Sequence, residues 1–538
     1  MNGYLIALIL LIAFYLGIFI LYKTGLMERY KLSMMGPLLM WRTQKGKEVI
    51  DRLSRKRGWF TYAKISKIIV AAAMISMFFL LIWEATIVPS IPKENAPSPE
   101  MMLGIPGINR AIPLSYGILG LVVAIVFHEG AHGVLTRANN LKVKSLGILL
   151  MVVPLGAFVE PDEDELQSTT KKKRSDVFAV GPGTNIIVAI VVVIIFTGLM
   201  MPSVVPVHEG AVITDVMENG PAHHAGIDAG EEILQIGGPG GGTKIDSIQS
   251  INSVNAEPGL PVPITVFTGK GEPVIKNCTA GLAILKVSAG APAQDAGLVP
   301  GMIIYSINDT VIHNYTEFND VISRLKVGVA VNMSVYSYSS TIPGYAQNHS
   351  VSTITPTDRY EYYSSAYAPY AHEEDRGKAF LGISVSYMGL NLMDVRTIPE
   401  IYSHPFRGAE GIHGYVMAGL GYLALPFYHL SPVEPPLSNM YTITGVCGAL
   451  PSGAFWVLAN SLYWIFWINI MVGLTNALPA IPLDGGYLLM DWADSILSRL
   501  KKNSTKEGRE KAISVIMYIL SFSVLGLILW QMIGPRLL

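Results

Sequence analysis

Charged side chains are scarce in this chain: they make up 15% of its 538 residues, where a soluble protein carries about 25%. That shortage excludes a solvated, disordered chain and argues against a soluble single-domain enzyme. Excess charge of either sign is also missing, with 39 Lys and Arg against 40 Asp and Glu and a net charge of -1. No basic surplus is available for a polyanion, so no nucleic acid is expected as a partner. Cysteine is nearly absent. Cys278 and Cys447 allow at most one disulfide and exclude a disulfide-stapled scaffold. Apolar residues supply the balance, at 51% with a mean hydropathy of +0.41. The chain reads as an integral membrane protein, long enough for a membrane domain with a soluble domain inserted in it.

Apolar runs able to cross ~30 Å of hydrocarbon fall near 4–22, 66–88, 115–137, 178–201, 454–478 and 513–533. The first lacks the basic leader and small-residue cleavage site of a secretory signal and is read as a retained helix. A seventh run, 412–430, is interrupted by glycines, Pro426 and histidines. Residues 23–64 hold eleven Lys and Arg and three acidic residues, which makes that loop cytoplasmic by the positive-inside rule. Alternation then puts 138–177 inside and 203–410 outside. The six Lys and Arg of 498–512 also belong inside, which requires 412–452 to make no net crossing, as a re-entrant or surface segment. The expected fold is a polytopic α-helical membrane protein of about six spans plus that segment, with a β-rich exterior domain inserted.

The exterior region contains a repeat offset by 71 residues. Gly210, Ile213, Val216, Pro221, Ala222, Ala225, Gly226, Gly230, Ile233 and Ile236 recur as Gly281, Ile284, Val287, Pro292, Ala293, Ala296, Gly297, Gly301, Ile304 and Ile307. Short β-rich patterns alternate with glycine turns, and a helical stretch, Glu317–Leu325, follows in the second copy. This phrasing resembles tandem PDZ domains of the bacterial protease type. The resemblance implies that a Gly-hydrophobic loop, here Gly210–Ile213 or Gly281–Ile284, offers amides to a peptide C-terminus beside an exposed strand edge. A pair of β-modules serving as spacer or size filter is the alternative. The Tyr-, Ser- and Thr-rich stretch 338–376 reads as a linker or insertion, and Ala379–Ser386 as a strand closing the second module.

The third apolar run contains Val126-Phe127-His128-Glu129-Gly130-Ala131-His132. Four residues of helix turn through about 400°, so His128 and His132 share a face one turn apart, with Glu129 about 60° from His132. Two imidazoles at that spacing around a carboxylate suit zinc-assisted hydrolysis. Ionisable side chains inside a span need a reason to be there, and a helix-packing or ion-pathway cluster is the alternative to a metal site. Zinc needs a third protein ligand, and Asn476-Ala-Leu-Pro479-Ala-Ile-Pro482-Leu-Asp484-Gly485-Gly486 offers one. Pro479 and Pro482 break the helix at membrane depth, which is tolerated only within protein or beside a wet cavity. Asp484 follows the break, and one carboxylate with one hydroxide neutralises Zn²⁺. Asp484 is also placed to cap a helix over 484–498.

These motifs together resemble the site-2 protease family of intramembrane zinc proteases. The likeness takes in Gly181-Pro182-Gly183-Thr184-Asn185 at the fourth span and Pro154-Leu-Gly-Ala-Phe-Val-Glu160 after the zinc helix. It implies one Zn²⁺ held by His128, His132 and Asp484, with Glu129 as catalytic base. It also implies single-pass membrane proteins as substrates. Independently, the alternation of spans puts His128 in the cytoplasmic half of the third span and Asp484 at the same depth, so the active site is expected near the cytoplasmic half of the bilayer. Residues 146–159, apolar but too short to span, resemble the family's membrane-embedded β-loop, whose edge pairs with an extended substrate. Pro154, Gly156 and Phe158 on that loop, and Asn476 beside the broken helix, are the substrate-binding candidates. Asn476 equally suits satisfying the broken helix, and Asn185 is read as a helix-packing polar residue.

The expected domains are 1–114, two spans with the basic loop; 115–202, the first part of the catalytic core; 203–277 and 278–390, the PDZ-like modules; 391–453, a linker with the re-entrant or surface segment; 454–500, the second part of the core; and 501–538, the last span. Other signals carry less. His208-Glu209 and His223-His224 read as solvated loop residues, Gly237–Gly242 as a turn, and Lys171-Lys-Lys-Arg174 as an inside-facing anchor. The sequons at Asn314 and Asn348 suit an exterior domain. A prenyl-protein-processing type of zinc protease shares His-Glu-x-x-His but leaves the Asp484 motif unexplained. A non-catalytic PDZ-bearing scaffold or inactive homologue predicts no metal.

Overall fold

The computed structural model describes residues 3–44, 46–91, 96–150, 154–238, 240–340, 344–345, 349–366, 371–428, 430–500 and 505–537. The chain divides into two compact units, Met1–Ile194 with Ser461–Leu538, and Ile195–Asn460. Nine helices matter below: α1 (Gly3–Lys23), α2 (Trp59–Ile87), α3 (Leu114–Ala138), α4 (Lys171–Ile195), α5 (Thr397–Ser403), α6 (Gly411–Ala424), α7 (Ser452–Asn476), α8 (Asp484–Leu500) and α9 (Lys506–Leu537). Among the described residues five are long and apolar enough to cross a membrane: Trp59–Ser90, Leu114–Ala138, Lys171–Ser203, Ser452–Asn476 and Glu507–Leu537. The chain is therefore a multi-pass membrane protein with an inserted β domain. The run at 412–430 forms the short α6 and a tight turn, Leu425–Tyr428, and is not one of the five.

In the first unit, β1 (Leu32–Met35), β2 (Leu38–Thr43), β3 (Val143–Leu150) and β4 (Pro154–Pro161) form one antiparallel sheet in that order. The apolar loop expected at 146–159 is the β3–β4 hairpin, with 151–153 outside the described residues. Its extension by β1 and β2 was not expected, because 23–64 reads as a basic loop. Met40 lies opposite Leu149 and Trp41 opposite Ile148. The Gly36-Pro37 turn between two short apolar runs is the signal that marks this hairpin. β4 is left as an open edge.

The second unit holds two sheets of the same design. One runs β8 (Val274–Thr279), β7 (Pro261–Phe267), β6 (Glu232–Ile236), β5 (Ala211–Val216) and then β14 (Leu390–Asp394). The other runs β12 (His349–Ile354), β11 (Val331–Tyr336), β10 (Ile303–Ile307), β9 (Leu282–Val287) and then β13 (Ile383–Tyr387). The 71-residue repeat is a repeat of core positions: Ile213, Ile233 and Ile236 are buried as fully as Ile284, Ile304 and Ile307. Pro221 and Pro292 each open a four-residue helix. The helical stretch of the second copy runs Tyr315–Arg324, and Asn314 caps it by accepting the Glu317 amide at 3.0 Å. That side chain is buried and committed to the cap; Asn348 lies outside the described residues. The Tyr-rich stretch is partly structured, as His349–Ile354 and Arg359–Ala366, with 341–343, 346–348 and 367–370 outside the description.

The strands that follow Gly210 and Gly281 are not exposed edges, which corrects the expected peptide-carboxylate loops. β5 is paired on both sides, with β6 and β14, and β9 likewise with β10 and β13. Among the described residues the sheets end at β8 and β12 on one side; on the other side, beside β9 and β5, the outer strands are β13 and β14. Each follows a glycine with positive φ, Gly382 at 82° and Gly389 at 74°. A Cβ at Gly382 would run into Ala291, so the turn admits only glycine on two counts.

Glu232 on β6 is fully buried, and among the described residues neither carboxylate oxygen has a hydrogen-bond partner. His208 Nδ1 stands 3.9 Å away, too far to donate. Burial pushes the Glu232 carboxyl up from 4.5 to about 7. The folded chain therefore keeps a proton that the unfolded chain releases across that window, and stability falls as pH rises through it, by about 3 kcal/mol in all. Glu232→Gln is expected to melt higher than wild type at pH 8 and close to it at pH 5. Parallel pH dependence of the two melting temperatures in detergent would show that the carboxyl is not the cause.

Candidate metal and catalytic centre

α3 delivers His128 and His132 one turn apart, and the helix break at 477–483 delivers Asp484 at the head of α8. All three side chains are largely buried. His128 Nε2 lies 3.0 Å from Asp484 Oδ2, His132 Nε2 lies 3.3 Å from the same oxygen, and the two Nε2 atoms are 3.1 Å apart. Ligands held about 2.0–2.1 Å from a tetrahedral zinc stand about 3.3 Å from one another. The triangle has the dimensions that ion requires, and it is the one group of three or more such donors among the described residues.

Both imidazoles are held by their far nitrogens. His132 Nδ1 donates to the Val177 carbonyl at 2.8 Å, leaving the Nε2 lone pair for a metal. His128 Nδ1 meets the Asn185 amide at 3.2 Å, with Asn185 Nδ2 drawn toward it and Oδ1 left buried without a partner. Turning that amide over lets Oδ1 accept the Nδ1 proton. His128 then carries its proton on Nδ1 and a lone pair on Nε2, as ligation demands. Asn185 thus acts on a histidine, where the sequence reading made it a helix-packing residue.

Small residues let the helices close in. A Cβ at Gly181 on α4 would overlap His132 Nε2 and reach 2.7 Å from His128 Nε2. One at Gly486 would meet the Ala480 backbone at 2.6 Å. The basic run 171–174 does more than anchor a span. Arg174 Nε grips Asp491 of α8 at 2.8 and 3.0 Å, and Lys171 pairs with Asp494 at 2.6 Å. Lys67 of α2 pairs with Asp176 at 2.5 Å. The Arg174 and Lys171 pairs fix the register of α4 against α8, and through it the position of Asp484, and the Lys67 pair ties α2 to α4.

Glu129 points away from the triangle's ring packing and accepts the Val159 amide of β4 at 2.9 Å. That amide faces away from β3, so the carboxylate sits on the open edge of the sheet. A cavity of about 1080 Å³ is lined by His128, Glu129, His132, Phe158, Asn476 and Asp484, among others. Phe158 lies opposite Gly147, where its ring fills the space a side chain would take. Gly156 is on β4 but does not line the cavity, and a Cβ there meets only Leu149 and Ile125 at ordinary contact. Pro154 opens β4 opposite Leu150, and its side chain is outside the description. Asn476 does two things: Nδ2 donates to the Val472 carbonyl at 3.2 Å, and the residue borders the cavity. His208 and His224 sit elsewhere, edge-on to Phe267 and stacked on Tyr338.

Two imidazoles and a carboxylate aimed at one point, a second carboxylate beside them and a strand edge in the same cavity are the donor set that a hydrolytic metal centre would need. The family model for peptidase family M50, the site-2 proteases, matches residues 116–523, and the chain belongs to that family. An uncharacterized protein of Methanocaldococcus jannaschii is 37% identical over 153 residues, 27% of this chain and 40% of that protein. A probable periplasmic serine endoprotease of Chlamydia muridarum is 24% identical over 155 residues, 22% of this chain and 30% of that protein. The matches thus span well under half the length of either relative.

Two outcomes are expected from the packing around the triangle. Arg174→Met leaves Asp491 buried and unpaired, at a cost of about 3–5 kcal/mol, and adding Asp491→Leu should recover most of it. Thermal melts in detergent read both, and a double variant no more stable than the single one rejects the account. Asn185→Leu should weaken zinc affinity by about 10–100-fold through loss of the His128 partner. Competition with a chromophoric chelator measures it.

Proposed function

We propose that the chain is a zinc-dependent intramembrane endopeptidase that cleaves transmembrane segments of membrane-tethered, single-pass proteins. The observation that carries this reading is the triangle of His128, His132 and Asp484, contributed by segments 352 residues apart. His128 Nε2, His132 Nε2 and an Asp484 oxygen would hold the ion. When bound, zinc supplies positive charge that polarises a peptide carbonyl and acidifies water. Glu129 takes the proton of the attacking water and hands it to the leaving amine. Its perch on the edge of β4 puts that carboxylate where an extended chain would run.

A helical substrate hides its scissile bond within its own hydrogen bonds, so a stretch must unwind before attack. The open edge of β4 replaces those lost bonds by strand addition. Phe158 and the remaining strand residues, Pro154 and Gly156 among them, would flank the added strand, and Asn476 faces it across the cavity. The stretches 203–277 and 278–390 are read as PDZ-like modules, with Leu390–Asp394 joined to the first. Peptide C-termini would then dock on the edges of β13 and β14, beside the Gly382 and Gly389 turns. The sequence charge pattern favours a cytoplasmic-side centre with the modules on the other face.

Zinc per chain in detergent-purified wild type, Asp484→Asn and Glu129→Gln tests the assignment. About one zinc in wild type and in Glu129→Gln is expected, with weakened binding in Asp484→Asn. Glu129→Gln should keep its metal and lose turnover of a transmembrane substrate. A metal-free wild type, checked against loss to chelators, rejects the metal centre; retained turnover in Glu129→Gln moves the base elsewhere.

A further inference from the structure

We propose that helix α6 lies in the plane of the membrane surface, with Ile412, Tyr415 and Val416 set into the boundary between headgroups and acyl chains. The first ground is charge. From Gly411 to Leu483 the sequence contains a single Asp, Glu, Lys or Arg, Glu434. A solvated segment of the length of 411–452 alone would carry about ten.

The second ground is burial. α6 is fourteen residues, Gly-Ile-His-Gly-Tyr-Val-Met-Ala-Gly-Leu-Gly-Tyr-Leu-Ala, apolar on all sides, and only Tyr422 is buried. At about 21 Å it is too short to cross ~30 Å of hydrocarbon. A helix apolar all round belongs in a core or in lipid, yet Ile412 is 87% exposed and Tyr415 and Val416 are about half exposed. Its inner side is no better covered. A cavity of about 700 Å³, bordered by Met393, Ile401, Tyr422 and Leu425, separates it from the outer face of the β5–β14 sheet.

The third ground is continuity with the spans. α5, which leads into α6, packs on Phe196–Ser203, the last turns of the candidate span Lys171–Ser203. Tyr402 of α5 sets its ring 5.5 Å from Phe196 and 6.4 Å from Tyr422 of α6. On the far side, Val433 gives its amide to Asn460 Oδ1 at 3.0 Å and accepts from Asn460 Nδ2 at 2.9 Å. Asn460 lies two turns inside the span α7. Both ends of the segment are therefore tied to residues of candidate spans. Tyr415, Phe427 and Tyr428, exposed along this segment, are the side chains that favour a membrane interface. Lipid fits this uncharged face, and the charges that stand near the helix, Asp215, Glu400 and Arg407, border the cavity on its inner side, with Glu410 at its N-terminus.

The test uses the full-length protein in vesicles of phosphatidylcholine and phosphatidylglycerol. Single substitutions Ile412→Cys, Val416→Cys and Tyr428→Cys take a thiol-reactive fluorophore, the native Cys278 and Cys447 being buried. Val299→Cys, exposed in the second module, is the reference. Quenching by lipid with a nitroxide high on its acyl chain should be several-fold stronger at 412 and 416 than at 299, with iodide in water showing the reverse. Iodide quenching at 412 and 416 equal to that at 299 overturns the proposal and gives the face to a protein partner. Strongest quenching by a nitroxide deep in the acyl chain also overturns it, since the segment would then be re-entrant.

Discussion

Three donor atoms within 3.3 Å of one another, deep in an apolar helix bundle, set the terms for what surrounds them. Crowding two imidazoles and a carboxylate in a low dielectric is favourable only if each lone pair has a use and each proton a destination. The Val177 carbonyl takes the far proton of His132, and the Asn185 amide meets the far nitrogen of His128. Gly181 gives the rings room, and Gly486 lets α8 start against the broken backbone of Ala480. Arg174–Asp491 and Lys171–Asp494 then lock the helix that carries Asp484 against the helix that carries Gly181 and Asn185.

Glu129 belongs to a second constraint, set by backbone. An open strand edge within a membrane domain exposes amides that must be met by protein or by a ligand. The carboxylate meets one of them, at Val159. A strand added along β4 would compete for that amide, which frees the carboxylate as the extended chain arrives.

Local motifs made most of the centre legible. His-Glu-x-x-His fixes its own geometry through helical spacing, and the Pro479–Pro482 break singles out Asp484 because a broken helix at membrane depth has to serve something. The repeat was readable because its glycines and isoleucines do the same work twice: Gly226, Gly230, Gly297 and Gly301 all take positive φ, and the isoleucines fill equivalent core positions. Long-range pairing was not readable. Nothing near Leu32–Thr43 says that it joins β3, and nothing near Arg174 names Asp491 as its partner. The same limit misplaced the paired edges: Ala379–Ser386 is legible as a strand closing the second module, and only the fold shows that β14 covers β5. Asn185 was legible as a polar residue between helices, and its particular partner, a ring nitrogen 57 residues away, was not.

The twelve residues from Ile383 to Asp394 close two sheets, β13 completing one and β14 the other. β14 meets β5 with Asn391 opposite Asp215, 176 residues earlier in the chain. As the polypeptide leaves the ribosome, the first sheet must therefore wait with an unsatisfied edge on β5 until the whole second copy has been made. Loop closure over such a distance is slow relative to local hairpins. Both sheets gain their last strand within a few residues of synthesis, so the two are completed nearly together, and a chain ending before Ile383 leaves both unfinished.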